Sequence, residues 1–110
     1  MKFTILDEEN GGALAKAEVT LIEFQDVEYK TPEVEGPIAL VSNINQTMAE
    51  LLGKPYIYLT DKYGNFYHDL KHGKNYMLII EKEEYKTFSK VTTYNLLSGI
   101  KDIDLSLIHI

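Results

Sequence analysis

The sequence predicts an all-β fold: a seven-stranded antiparallel Greek-key β-sandwich with a long insertion that carries a short helix. Three observations predict it. Apolar and polar residues alternate in runs such as Ala17-x-Val19-x-Leu21 and Tyr76-x-Leu78-x-Ile80, the period of a strand with one buried face. Turns rich in Asp, Asn and Gly separate the runs, as in Asp7–Gly12 and Asp61–Gly64, because these residues suit turn backbone geometry. The chain has 110 residues and is 45% hydrophobic, enough for one domain, 1–110, with its own core.

Lys2–Asp7 forms the first strand and Glu8–Gly12 the turn after it. Ala17–Phe24 is the second strand, with Ala17, Val19 and Leu21 on one face. Ile22 and Phe24 break the alternation, so the opposite face is expected to be partly covered at that end. The insertion, Gln25–Pro55, begins with Asp26–Pro37, which holds four acidic residues, two prolines and a glycine and reads as loop. Ile38–Val41 is a short apolar run that suits an extra strand. Thr47-x-x-Glu50 matches a capping box, Gly53 can close a helix, and Pro55 prevents continuation. One or two helical turns around Met48–Leu52 follow, and Met48, Leu51 and Leu52 supply a packing face.

Tyr56–Thr60 is a strand with Ile57 and Leu59 on one side and Tyr56 and Tyr58 on the other. Asp61–Gly64 is a hairpin turn and Asn65–Leu70 the returning strand. Lys71–Asn75 turns the chain into Tyr76–Lys82, which is apolar on both faces and so central. Tyr85–Thr93 is the next strand and Asn95–Gly99 an irregular stretch. Asp102–Ile110 is the last strand.

Seventeen acidic and eleven basic residues give a net charge of −6. That balance argues against nucleic acid and against an anionic membrane surface, which both select basic patches. The chain has no cysteine, which removes disulfides, thiolate zinc sites and cysteine nucleophiles together. No apolar stretch approaches the ~18 residues of a membrane span. Met1-Lys2 leads at once into strand-like Phe3–Leu6, with no signal peptide. The protein is then expected to be either cytoplasmic or a piece of a longer exported chain, and the last strand, which runs to the final residue, favours the second.

The candidate site residues are few. Tyr56, Tyr58, Tyr63 and Tyr67 gather around one hairpin, where exposed rings could stack on sugars or meet a protein; ordinary cross-strand pairing is the plainer reading. Met48 and Leu51 of the helix are a further contact candidate, although covering a sheet end is the simpler use. His68 and His72 have a spacing that would suit a metal on a helix, but they fall on a strand end and turn and read as structural. His109 reads as a frayed-end residue. Asp7, Glu8, Glu9 and Asn10 offer oxygens to calcium without EF-hand spacing and read as a solvated turn, as do Asp26, Glu28, Glu33 and Glu35. No catalytic constellation, cofactor motif or metal motif is present.

These motifs in this order resemble the carboxypeptidase regulatory-like family, a transthyretin-like β-sandwich. Ile5–Gly11 is similar to its first strand and Asp-rich turn, and Lys16–Leu21 to its Gly-Ala-x-Val-x-Leu strand. Thr60-Asp61-Lys62-Tyr63-Gly64-Asn65-Phe66 fits the family's Thr-Asp-x-x-Gly-x-Phe at every fixed position. Gly73–Ile80 resembles its Gly-x-x-Tyr-x-Leu-x-Val strand. Lys82-Glu83-Glu84-Tyr85 resembles its Lys-x-Gly-Tyr corner, with Glu84 in place of glycine. The likeness covers residues 2–24 and 56–110. It is nearest to copies in OmpA-family envelope proteins of Bacteroidetes-type bacteria, some of them in type IX secretion.

The resemblance implies a non-catalytic periplasmic spacer or protein-interaction domain without cofactor. Its partners would be neighbouring domains or other envelope proteins. The alternative is a glycan- or peptidoglycan-binding module that uses the Tyr56/Tyr58 face. Hydroxyisourate hydrolases share the fold but end in Tyr-Arg-Gly-Ser; this chain ends Leu107-Ile108-His109-Ile110 and has no arginine.

Overall fold

The computed structural model describes residues 1–24, 28–29, 38–39, 46–94 and 102–110, and no side chains at 28, 29, 38, 39, 48 and 52. The described residues form β1 (Lys2–Asp7), β2 (Glu18–Phe24), β3 (Glu28–Tyr29), β4 (Ile38–Ala39), α1 (Gln46–Leu52), β5 (Gly53–Leu59), β6 (Asn65–Tyr67), β7 (Asn75–Glu81), β8 (Phe88–Thr93) and β9 (Asp102–Leu107). One sheet has the order β6-β1-β9 and the other β5-β2-β7-β8, while β3 and β4 pair as a separate ribbon. The described residues are therefore all-β in class, with two main sheets packed face to face, the β3–β4 ribbon and one short helix.

Alternation builds the core. Phe3 and Ile5 of β1, Phe66 of β6 and Leu107 of β9 meet Val19 and Leu21 of β2 and Tyr76, Leu78 and Ile80 of β7. The Phe3 and Phe66 rings stack with centroids 4.6 Å apart. A second apolar cluster lies on the outer face of the larger sheet, where Ile22, Phe24, Met77 and Ile79 pack with Ala49 of α1. The break in alternation at Ile22 and Phe24 thus marks a covered end, as the sequence pattern requires.

Several expectations are corrected. The ladder between β1 and β9 is parallel, with Phe3 opposite Ile103 and Ile5 opposite Leu105, so the sandwich is not antiparallel throughout. The chain leaves β8 in one sheet and re-enters the other beside β1, running the same way. Helix α1 begins at Gln46, so Thr47 lies inside the first turn. Glu50 accepts a hydrogen bond from the Gln46 side chain at 2.9 Å instead of completing a capping box. The residue that docks α1 is Ala49, while Leu51 is 81% exposed.

Strand β5 follows the helix with no connecting loop. Gly53 permits this junction: a Cβ there would collide with the Glu23 carbonyl oxygen. Strand β6 stops at Tyr67, β8 starts only at Phe88, and β9 stops at Leu107. The segment before β8 is a tight corner, since the Tyr85 N–H donates to the Lys82 carbonyl at 3.0 Å and Glu84 adopts φ +71°. Of the insertion, Asp26, Glu33 and Glu35 lie outside the described residues, as do 95–101.

Two substitutions test this backbone reading. Gly64 has φ +75°, and a Cβ there would meet the Ile5 carbonyl oxygen at 2.7 Å. Gly64→Ala should therefore cost roughly 2 kcal/mol or more in urea unfolding. Gly73→Ala should cost about 1 kcal/mol, because Gly73 shares the positive φ but its Cβ would meet nothing. Glu84→Gly should raise stability by about 1 kcal/mol by releasing the left-handed strain on a residue with a side chain.

Candidate functional site

The hairpin residues Thr60–Phe66 have structural uses. Thr60 is buried, donates from Oγ1 to the Leu14 carbonyl at 2.6 Å and accepts from the Ala17 N–H at 2.9 Å. Asp61 Oδ1 accepts from the Tyr63 and Asn65 N–H groups, both at 2.9 Å. The Gly64 carbonyl accepts from the Ile5 N–H at 2.8 Å. Together these bonds fasten the β5–β6 turn to β1 and to the approach to β2.

A buried carboxylate organises one end of the sandwich. Asp7 has the inward parity of Phe3 and Ile5 and is 4% exposed, so it is not part of a solvated turn. Its Oδ1 accepts from the Glu9 N–H at 2.8 Å and the Asn10 N–H at 3.2 Å. Its Oδ2 accepts from the Tyr85 hydroxyl at 2.5 Å and lies 2.6 Å from His109 Nε2. His109 is not a frayed end either: it bridges to Tyr85 in the backbone, and the two rings lie 4.2 Å apart. Among the described residues, Asp7, Glu9 and His109 are the one His/Cys/Asp/Glu group whose ligand atoms fall within 4.8 Å of one another. The oxygens of Asp7 already carry four hydrogen-bond contacts, so the geometry is that of a satisfied structural anchor.

The opposite end is built differently. Tyr56 and Tyr58 stand opposite Leu21 and Val19, and cross-strand partners share a face; both rings therefore point inward, and Ile57 and Leu59 point out at 75% and 63% exposure. Tyr58 stacks on Phe66 at 5.4 Å, and its hydroxyl lies 2.5 Å from His68 Nδ1. Burial pushes the His68 pKa down and the Tyr58 pKa up, so both stay neutral near pH 7 and the bond joins uncharged partners. The Tyr76 hydroxyl accepts from the Lys71 N–H at 2.7 Å.

Glu23 reaches the same end from β2. One carboxylate oxygen is 3.8 Å from Lys71 Nζ; the other, Oε2, is buried with no hydrogen-bond partner among the described residues. Beside it is a cavity of about 330 Å³ lined by Glu23, Tyr56, Lys54, Lys71 and Lys74 with the Phe24–Gly53 backbone pair. Sequence reasoning missed Glu23, although its parity with Val19 and Leu21 places a carboxylate on the inward face. A second cleft of about 330 Å³ is apolar; Lys90 is the one charged group among the described residues that line it.

The six candidate residues do not form one surface. Tyr56 and Tyr58 are half-buried between the sheets, whereas Tyr63 and Tyr67 are 61% and 59% exposed. Leu51 is exposed on α1, and the Met48 side chain is outside the described residues. His68 belongs to the Tyr58 contact, and His72 is exposed on the following turn. No helix among the described residues is long and apolar enough to cross a membrane. Compared with protein-family models and with curated proteins, the chain matches none.

The Asp7 anchor sets a pH window. The Tyr85 hydroxyl is the chief cause that lowers Asp7 from 3.8 to about 2; burial opposes it, and the Glu9, Asn10 and His109 contacts reinforce it. The same bond is the chief cause that raises Tyr85 from 10.0 to about 12. Asp7 binds its proton more weakly when folded, so its stabilisation is complete above pH 3.8 and lost as pH falls toward 2. Tyr85 binds its proton more tightly when folded, so its share is complete below pH 10 and lost as pH rises toward 12. Urea midpoints measured across pH should fall on both sides, and Asp7→Asn should flatten both limbs. Limbs as steep as wild type in that variant would contradict the assignment.

Proposed function

We propose that the chain is a non-catalytic accessory module of the carboxypeptidase regulatory-like type, a seven-stranded Greek-key sandwich of the transthyretin-like kind. It serves as a spacer or protein-interaction domain in a periplasmic, OmpA-family cell-envelope protein, with type IX secretion the narrower setting. The observation that carries this reading is the use of the motif residues. Asp7, Thr60, Asp61, Tyr76 and Tyr85 all commit their polar atoms to holding backbone or one another, as residues of a scaffold do. The interaction half is supported by β5, an edge strand of its sheet that presents Ile57 and Leu59 outward. The partner it fits is a neighbouring protein domain.

A second reading gives the same module a carbohydrate ligand, and the Tyr56-lined cavity favours it. Co-sedimentation with peptidoglycan sacculi at moderate salt separates the two. The spacer reading expects wild-type protein to remain in the supernatant. Pelleting that Tyr56→Leu abolishes, with the fold intact by circular dichroism, would replace it with the glycan reading. Tyr58 is unsuitable as a probe, because its ring packs on Phe66 and its hydroxyl holds His68.

A further inference from the structure

We propose that the apolar cleft at the open side of the sandwich binds a fatty acid, an unbranched acyl chain that ends in a carboxylate. The two sides of the sandwich differ. On one, Tyr58 of β5 stacks on Phe66 of β6 and so joins edge strands of the two sheets. On the other the edge strands are β8 and β9, and residues of both line the cleft of about 330 Å³. It shares no described lining residue with the Tyr56-lined cavity. Ile103 and Leu105 of β9 stand opposite Phe3 and Ile5, so all four side chains have the inward face of the sheet. Phe3 and Ile5 are buried, yet Ile103 and Leu105 are only partly so. Core positions on this side therefore keep apolar area that an apolar chain would cover.

Strand β8 supplies the polar end. Lys90 pairs with Leu78, and Thr92 with Tyr76. Leu78 and Tyr76 belong to the core, so Lys90 and Thr92 share the inward parity. Both are exposed and both line the cleft. Asp102 and Asp104, the carboxylates of β9, alternate with Ile103 and Leu105 and so lie on the other face. Lys90 makes no ion pair among the described residues. An inward lysine on an edge strand also discourages pairing with another chain, but that role needs no cleft beneath it. One cation at the rim of an apolar cleft is complementary to one anionic head on an apolar tail. The volume lies at the lower end of ligand sites, which span roughly 300–1,000 Å³, and suits a single chain of medium length. In the complex the acyl chain lies along Phe3, Leu78, Ile103 and Leu105. Its carboxylate meets Lys90 Nζ, with the Thr92 hydroxyl as a second donor. A neutral alcohol would lack the charge contact, and a short carboxylate would lack the burial.

Titration calorimetry of the folded 110-residue chain tests this with decanoate, octanoate, decanol and acetate as probes. Decanoate should bind saturably. Octanoate should bind roughly tenfold more weakly, because it buries fewer methylenes, and acetate should not saturate. Lys90→Met keeps an aliphatic stem and removes the charge. It should weaken decanoate about threefold, the scale of a solvent-exposed ion pair, and leave decanol unchanged. Thr92→Trp fills the cleft from an exposed position and should abolish decanoate binding without lowering the urea midpoint. Absence of decanoate binding in wild type, equal affinity for octanoate and decanoate, or undiminished binding in Thr92→Trp would overturn the inference. Undiminished decanoate affinity in Lys90→Met would overturn it as well, since the cleft would then take apolar chains without regard to charge.

Discussion

The buried carboxylate of Asp7 holds three separate parts of the chain at one point. It ends β1, caps the turn that follows, receives the hydroxyl of the Tyr85 corner, and meets His109 beyond β9. Removing a carboxylate from water is costly unless its lone pairs are matched, and here each oxygen has two contacts. The order of the corner follows from this match. With Tyr85 fixed, the Lys86 N–H donates to the Ile108 carbonyl at 2.7 Å and the Ile110 N–H to the Glu84 carbonyl at 3.0 Å. The strain at Glu84 is tolerated because these bonds over-determine its position.

The two ends of the sandwich treat a buried carboxylate in opposite ways. Asp7 is saturated, and its neighbours are neutral or hydrogen-bonding groups. Glu23, in the other sheet, is 15% exposed at its side chain against 4% for Asp7, with one lysine at ion-pair range and one oxygen unmatched among the described residues. A scaffold gains nothing from an unmatched oxygen, which lowers the stability of the fold.

Local chemistry was legible in the sequence, and long-range partnership was not. The Asp61–Gly64 turn could be read because its hydrogen bonds close within four residues. The covered end of β2 could be read from Ile22 and Phe24, since two adjoining apolar faces need two covers. The parity of β5 was also readable, but not which side faces in: tyrosine and isoleucine both tolerate burial, and only the pairing of Tyr58 with Val19 decides it. The contact of Asp7 with His109 spans 102 residues, and no periodicity reports a contact that distant. The parallel sense of β9 is hidden for the same reason, because alternation is identical in either direction.

The β1–β9 ladder has a kinetic consequence. Strand β1 lies in the middle of its sheet, with short β6 on one side and β9 on the other. Its contacts with β6 cover only three residue pairs, whereas those with β9 cover six. The smaller sheet therefore gains most of its pairing only when residues 102–107 close a loop of about a hundred residues. Closure over that length must be achieved before its contacts repay the lost chain entropy. The four-stranded sheet, joined by shorter connections, is the natural template, and the passage to the native state is governed by the arrival of β9.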